Sequence, residues 1–279
     1  MKILVPTDFS ETSFSAYQYA CHFAKKCNGN ITLIHVLNGM FNMSEFLSYE
    51  PIEKHRTSAL IKLEYFAHEY AKTMGIELPE VPISIDMSYG IPGFEITDFA
   101  YEGDYDIIIT GTRDRYGIFD SALGSASEIT IRQAPCPVLL IHKGVRYEEP
   151  SKIVFAFDRT TDVEDSVESL VSINKNFNAK VDFVHVSKDS GDQKLLEQKE
   201  EIMEELFDDG EPNFAVEIKV IPGKDLHNSL KDYCLFERAD MLTMVHRKEG
   251  IFTNLFRRQN SIKMAQEFHL PVLIFNENN

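Results

Sequence analysis

Along the first half of the chain, short apolar runs alternate with stretches of helical periodicity. Residues 2–7, KILVPT, form an apolar run that ends at a proline, as a strand does before a turn. Ser10 follows as an N-cap for a helix with the apolar stripe Phe14, Tyr17, Ala20, Cys21 and Ala24, and Asn28-Gly29 closes it. ITLIHV, residues 31–36, reads as the next strand. An irregular piece from Leu37 to Glu50 holds Met40, Phe41, Met43, Phe46 and Leu47, before Pro51 opens a long amphipathic helix through Met74. Val81, Ile83, Ile85 and Met87 recur at period two, the signature of a strand with one face more buried than the other. A helix from Gly93 to Glu102, a strand Asp106–Thr110, a helix from Ser125 and a strand Pro137–His142 complete the series. The order β-α-β-α-β-α-β-α-β predicts an α/β fold with a parallel sheet and helices on both faces.

After Lys143-Gly144 the pattern begins again. Ile3, Asp8 and His35 recur as Ile153, Asp158 and His185, and ITLIHV is answered by VDFVHV. Ile91-Pro92-Gly93 recurs as Ile221-Pro222-Gly223, Gly117-Ile118-Phe119 as Gly250-Ile251-Phe252, and Pro137-Val138-Leu139 as Pro271-Val272-Leu273. The chain therefore reads as two tandem domains, residues 1–144 and 151–279, joined by the linker 145–151. The second has its own alternating strand at Phe214, Val216, Ile218 and Val220. Its charged helix, roughly residues 192–208, is a solvated face.

Composition narrows the function classes. The 279 residues are enough for two ordinary domains, and 43% hydrophobic with 26% charged residues is the balance of a soluble globular chain. No apolar run is long enough for a membrane span, and MKILVPTDFS is too short for the apolar core of a signal peptide, so the expectation is a cytoplasmic protein. A net charge of −16 opposes binding to nucleic acid or to an anionic membrane. Cys21, Cys27, Cys136 and Cys234 have no CxxC spacing and are expected to be reduced and mostly buried.

The stretch from Tyr105 to Pro137 carries the candidate chemistry. Its apolar strand breaks at Gly111, a basic, glycine-dotted loop follows, and a helix starts near Gly124-Ser125. Unpaired N–H groups and the positive end of a helix dipole then face one point, which favours an anion such as phosphate. Gly111, two residues, Asp114, nine residues and Gly124-Ser125 resemble the loop of the universal stress protein family, and VPTDFSE at residues 5–11 resembles that family's first strand and turn. The likeness extends over the chain twice.

What the resemblance implies is two Rossmann-like domains of the adenine nucleotide alpha hydrolase-like kind, each a five-stranded parallel sheet of order 3-2-1-4-5. An adenine nucleotide would sit at the carboxyl ends of the central strands. By resemblance, Pro6, Thr7 and Asp8 line the ribose side, Val36 offers backbone contacts to adenine, Thr110 and Gly111 lie against the sugar, and Gly124, Ser125 and Ala126 hold phosphates. Asp114 stands where nucleotide-binding members carry a second glycine. A carboxylate ~5 Å from a phosphate charge costs about 3 kcal/mol at an effective dielectric of ~20, roughly a hundredfold in affinity. Arg113 and Arg115 beside it, or a Mg²⁺ shared between Asp114 and the phosphates, would compensate.

In the second half the loop reads MVHRKEGIFTNLFRRQNS and keeps no phosphate glycine. Gly111 aligns with Met244 or Val245, Gly124 with Arg257 or Arg258, and Phe157 replaces Thr7. That pocket is expected to be partly filled by side chains. Plainer readings stand beside these. Asp8 and Asp158 also serve as turn residues or helix N-terminal charges, which is the favoured reading for Asp158. His35 and His185 are read as satisfied core histidines, residues 40–47 as core or flap, and Arg113 and Arg115 as either loop charges or ligand contacts.

No catalytic constellation and no metal-ligand spacing emerges, so the expectation is a regulatory protein of the stress response that binds ATP or a related adenine nucleotide in its first domain. The alternatives are a nucleotide-free module that pairs with itself or with another protein, and a slow ATPase or phosphotransferase using Asp8 or Asp114 with Mg²⁺.

Overall fold

A computed structural model of the chain describes residues 1–38, 50–112, 125–157, 164–187, 212–246 and 270–276. The chain divides into two compact units, one reaching to Tyr147 and one continuing from Glu148. The predicted helix at 192–208, the Met/Phe-rich stretch 40–47 and the paired GIF motifs lie outside the described residues, as do Arg113, Asp114, Arg115 and Gly124.

The first unit runs β1 (Lys2–Pro6), α1 (Glu11–Cys27), β2 (Asn30–Asn38), α2 (Glu50–His68), α3 (Tyr70–Thr73), β3 (Ile83–Gly90), α4 (Pro92–Glu102), β4 (Ile107–Gly111), α5 (Ser125–Gln133) and β5 (Val138–Ile141). Its strands lie parallel in the order β3-β2-β1-β4-β5. The central strands are buried on both faces, so Ile3, Leu4 and Val5 of β1 and Ile107 to Ile109 of β4 read as continuous apolar runs. The caps of α1 stand where the sequence places them. The Ser10 hydroxyl accepts from the Ser13 N–H at 3.1 Å, and Asn28 takes the left-handed conformation at φ 49°. The long second helix is divided into α2 and α3 at Glu69, whose φ of −116° distorts the turn although its N–H still donates to the Tyr65 carbonyl at 2.9 Å.

The second unit repeats the plan with β6 (Lys152–Ala156), α6 (Glu164–Asn174), β7 (Lys180–Ser187), β8 (Val216–Pro222), α7 (Leu226–Glu237), β9 (Met241–His246) and β10 (Val272–Asn276). Its parallel order is β10-β9-β6-β7-β8. Register fixes which residues correspond. Ile3 pairs with Ile107 and Ile153 with Met241, so Gly111 corresponds to Val245, not Met244. Ile31 pairs with Ile83 and Val181 with Val216, so Gly90 corresponds to Gly223. The Ile-Pro-Gly motifs are therefore not equivalent positions. Pro92 begins α4, whereas Pro222 ends β8, and α7 starts instead from an Asp225 cap that accepts from the Asn228 N–H at 3.1 Å.

All four cysteines are buried and unbridged. Burial pushes the Cys21, Cys136 and Cys234 thiols up to about 12, which keeps them protonated and unreactive at neutral pH. Among the described residues, no helix is long and apolar enough to cross a membrane.

Candidate functional site

The strand order of the first unit reverses between β1 and β4, and parallel strands bring their carboxyl ends to one edge there. Pro6 is the last residue of β1, and the chain turns sharply after it. Thr7 makes that turn rigid. Its N–H donates to the Ile34 carbonyl at 2.8 Å, its carbonyl accepts from His35 Nδ1 at 2.7 Å, and its hydroxyl meets Ser13 Oγ at 2.9 Å and the Phe9 N–H at 3.0 Å. Every polar atom of Thr7 is thus engaged inside the fold. These bonds fix the turn that leads from β1 into α1. Since a carbonyl only accepts, His35 carries its proton on Nδ1, and this satisfied role explains why the histidine recurs as His185 against the Phe157 carbonyl at 3.3 Å.

Phe9 takes φ 64°, an uncommon conformation for a bulky residue, and its ring lies 4.5 Å from His35 and 5.7 Å from Phe66. This turn holds Asp8 at the surface, where its Oδ1 accepts from the Ser10 N–H at 3.1 Å. Partial burial raises the Asp8 pKa, but hydrogen bonds from Ser10 and Ser13 outweigh it and hold the carboxyl below its ordinary value of 3.8. Asp8 therefore presents a full negative charge at neutral pH.

Val36 is buried in β2. Backbone groups alternate sides along a strand, and Ile34 already points its carbonyl at β1, so Val36 points the same way two residues on, past the end of β1. Thr110 is buried at the end of β4, and Gly111 follows. A Cβ at Gly111 would stand 2.8 Å from the Thr12 carbonyl oxygen and 2.9 Å from Thr12 Cγ2, so glycine is required for the first turn of α1 to close on β4. On its other side, Ser127 in the first turn of α5 reaches the Gly111 carbonyl at 3.4 Å. Ala126 is half-buried in that same turn, and its carbonyl accepts from Thr130 at 2.9 Å. The backbone of Ser125 opens α5; its side chain, with Gly124 and Asp114, falls outside what is described.

Pro6, Asp8, Val36, Thr110 and Gly111 thus lie towards the carboxyl ends of β1, β2 and β4, with Ala126 in the first turn of α5 and the N-terminus of α1 close to Gly111. Three participants went unnoticed in sequence reasoning: Thr12 against Gly111, Ser13 against Thr7, and Ser127. The spacing of Ser10 and Ser13 was a readable capping signal, but the close approach of Thr12 depends on packing across residues far apart in the chain. In the second unit Phe157 is buried with its ring 6.4 Å from Phe183 and 5.8 Å from His185, and Val245 stands in place of the glycine.

A protein-family model described as the universal stress protein family matches residues 1–142, half of the chain. The chain belongs to the universal stress protein family. It is 30% identical to universal stress protein MJ0531 of Methanocaldococcus jannaschii over 152 residues, which is 51% of this chain and 82% of the relative. Universal stress protein Slr1230 of Synechocystis aligns over 297 positions at 23% identity, covering 98% of this chain and 99% of its own. Among solved structures, a universal stress protein from Archaeoglobus fulgidus has a TM-score of 0.71 at 20% identity, over 99% of this chain and 96% of that one. That last likeness establishes the two-unit Rossmann-like architecture of this universal stress protein.

Proposed function

We propose that the first unit binds ATP or a related adenine nucleotide in the crevice beyond β1 and β4, and that the protein works as a nucleotide-responsive regulator of a cytoplasmic stress response. The observation that carries this reading is the convergence of the Asp8 turn, the end of β4 at Gly111 and the first turn of α5 where the strand order reverses. The Asp8 carboxylate would accept from ribose hydroxyls, the outward backbone of Val36 would meet the adenine edge, and Thr110 with Gly111 would flank the sugar. Backbone N–H groups at Gly124, Ser125 and Ala126 would take the phosphates. Pro6 and Thr7 support these contacts by fixing the turn. Bound Mg²⁺ would supply positive charge between the phosphates and the Asp114 carboxylate.

The test denatures the purified full chain, assays released nucleotide, and then titrates ATP with and without Mg²⁺ by calorimetry. The expected result is saturable binding at one site per chain; no binding at millimolar ATP under either condition would refute the proposal.

A further inference from the structure

Helix α4 turns one face into the first unit through Gly93, Ile96, Thr97 and Ala100. Gly93 is what lets it press on α5, since a Cβ there would collide with Ile129. The opposite face is unusual for a surface helix. Ile91 at its N-cap, Phe94 and Tyr101 are 53%, 41% and 77% exposed, and Asp98 and Glu102 are exposed with them. Single exposed apolar residues are ordinary, but three aligned on an 11-residue helix are not. Their spacing, Ile91, Phe94, Asp98, Tyr101, is the three-four-three of a helix-packing seam, with an acidic residue at one of the inward positions.

Charge defines the occupant. From residue 73 to residue 112 the sequence contains no lysine or arginine, while Asp98, Glu102, Asp104 and Asp106 lie on or just after α4. Among the described residues, Lys2 reaches this region, and its Nζ donates to the Gly103 carbonyl at 3.1 Å beyond the helix end. A second copy of the same face would oppose Asp98 and Glu102 to their own likeness, which disfavours self-pairing. Phosphate-bearing surfaces are repelled for the same reason. The three-four-three spacing is not repeated in the second unit, where α7 exposes the adjacent pair Leu235 and Phe236. Counting from the N-caps, Ile91, Phe94, Asp98 and Tyr101 correspond to Asp225, Asn228, Asp232 and Leu235 on α7, so the second unit keeps one apolar position of three.

We infer that the outward face of α4 is a docking surface for a short basic amphipathic helix of a partner protein. The partner's apolar residues pack over Phe94 and Tyr101, and its lysine or arginine faces Asp98 and Glu102. Burying Asp98 without such a cation would leave an unpaired charge in the seam, which is what gives the surface its selectivity.

The probe is a labelled synthetic helix with leucine at the seam positions and lysine flanking them, titrated by fluorescence anisotropy against the full-length protein. A glutamate-for-lysine version and a scrambled version of identical composition serve as controls. Saturable binding of the lysine helix is expected, weakened at least about tenfold by Phe94→Ser with Tyr101→Ser, a change of roughly 1.4 kcal/mol. Asp98→Lys is expected to lower affinity for the lysine helix and raise it for the glutamate helix. All these side chains are exposed, so unchanged circular dichroism confirms that the variants fold. No saturable binding, equal binding of the scrambled helix through bulk charge alone, or variants that bind as the parent does would each overturn the inference.

Discussion

The two units share strand order, register and a histidine clamp on the carbonyl of the residue that follows the first strand, yet they differ in the polar chemistry at their strand ends. In the first unit it gathers at the carboxyl ends, around Thr7, Asp8 and Gly111. There the amino-terminal end holds a Thr32–Ser84 hydroxyl contact of 3.0 Å, and Lys2 donates its N–H to Asp106 at 2.6 Å and its Nζ to the Gly103 carbonyl at 3.1 Å. In the second unit buried Phe157 and Val245 stand in place of Thr7 and Gly111, and the amino-terminal end carries a network of ion pairs around Asp182. Asp182, the counterpart of Thr32, is fully buried. It meets Lys152 Nζ at 3.0 Å and accepts from the Tyr233 hydroxyl at 2.9 Å, while Lys152 also pairs with Glu237. Lys180 joins Asp182 at 3.5 Å and Glu217 at 2.8 Å. One backbone plan thus accommodates the Thr7–Asp8 turn beside Gly111 in one copy and a cluster of ion pairs around Asp182 in the other.

The sharpest way to break this contrast is Asp182→Ala. It leaves Lys152 with Glu237 alone and takes the acceptor from the Tyr233 hydroxyl, so a loss of about 3 kcal/mol is expected in urea melts, against under about 1 kcal/mol for Thr32→Ala. Next in size is Asp114→Gly, which restores the family glycine. In the absence of Mg²⁺ it should tighten ATP binding by up to roughly a hundredfold if the carboxylate faces the phosphates uncompensated. Gly111→Ala should cost about 1–3 kcal/mol by pushing Thr12 and the first turn of α1 away from β4, and should weaken ATP binding with it, while Val245→Gly should create no second site.

The smallest expected effect is the response to pH. The Lys180 hydrogen bond, followed by that of Lys219, holds Glu217 down at about 2, below its ordinary 4.5. A lowered carboxylate stabilises the fold above 4.5, and that contribution is lost as pH falls towards 2. Lys180 is raised by the same Glu217 contact, so its contribution is present below its ordinary 10.5 and is lost above it. These groups are more than a third exposed, and solvent screening keeps the sum under about 1 kcal/mol. Thermal melts between pH 2 and 5 on the parent and on Glu217→Gln would measure it, with the two curves converging at the acid end.

Much of this was readable from residue pattern, and the exceptions share a cause. The caps of α1 were legible because Ser10 and Asn28 act on their own helix. The alternation of strands and helices, and the repeat itself, were legible because both are local periodicities. The break at Glu69 was not, since the residues around it are ordinary helix formers. The Ile-Pro-Gly match misled because three similar residues fell on opposite sides of a strand end, which only register resolves. At the site, Asp8 and Gly111 stood out by type and spacing. The internal commitment of Thr7 did not, because its partners Ile34, His35 and Ser13 are brought to it by folding. Asp182 gave its one signal as a carboxylate inside the apolar run VDFVHV, and nothing in that run shows that Lys152 and Tyr233 converge upon it.

The central claim, a single nucleotide crevice in the first unit, is tested most directly by calorimetric titration of ATP into the parent, Asp8→Asn and Asp158→Asn proteins. The account predicts one ATP per chain, roughly tenfold weaker binding in Asp8→Asn, equivalent to about 1.4 kcal/mol, and no change in Asp158→Asn. Two ATP per chain, or a loss of affinity in Asp158→Asn that Asp8→Asn does not show, would contradict it.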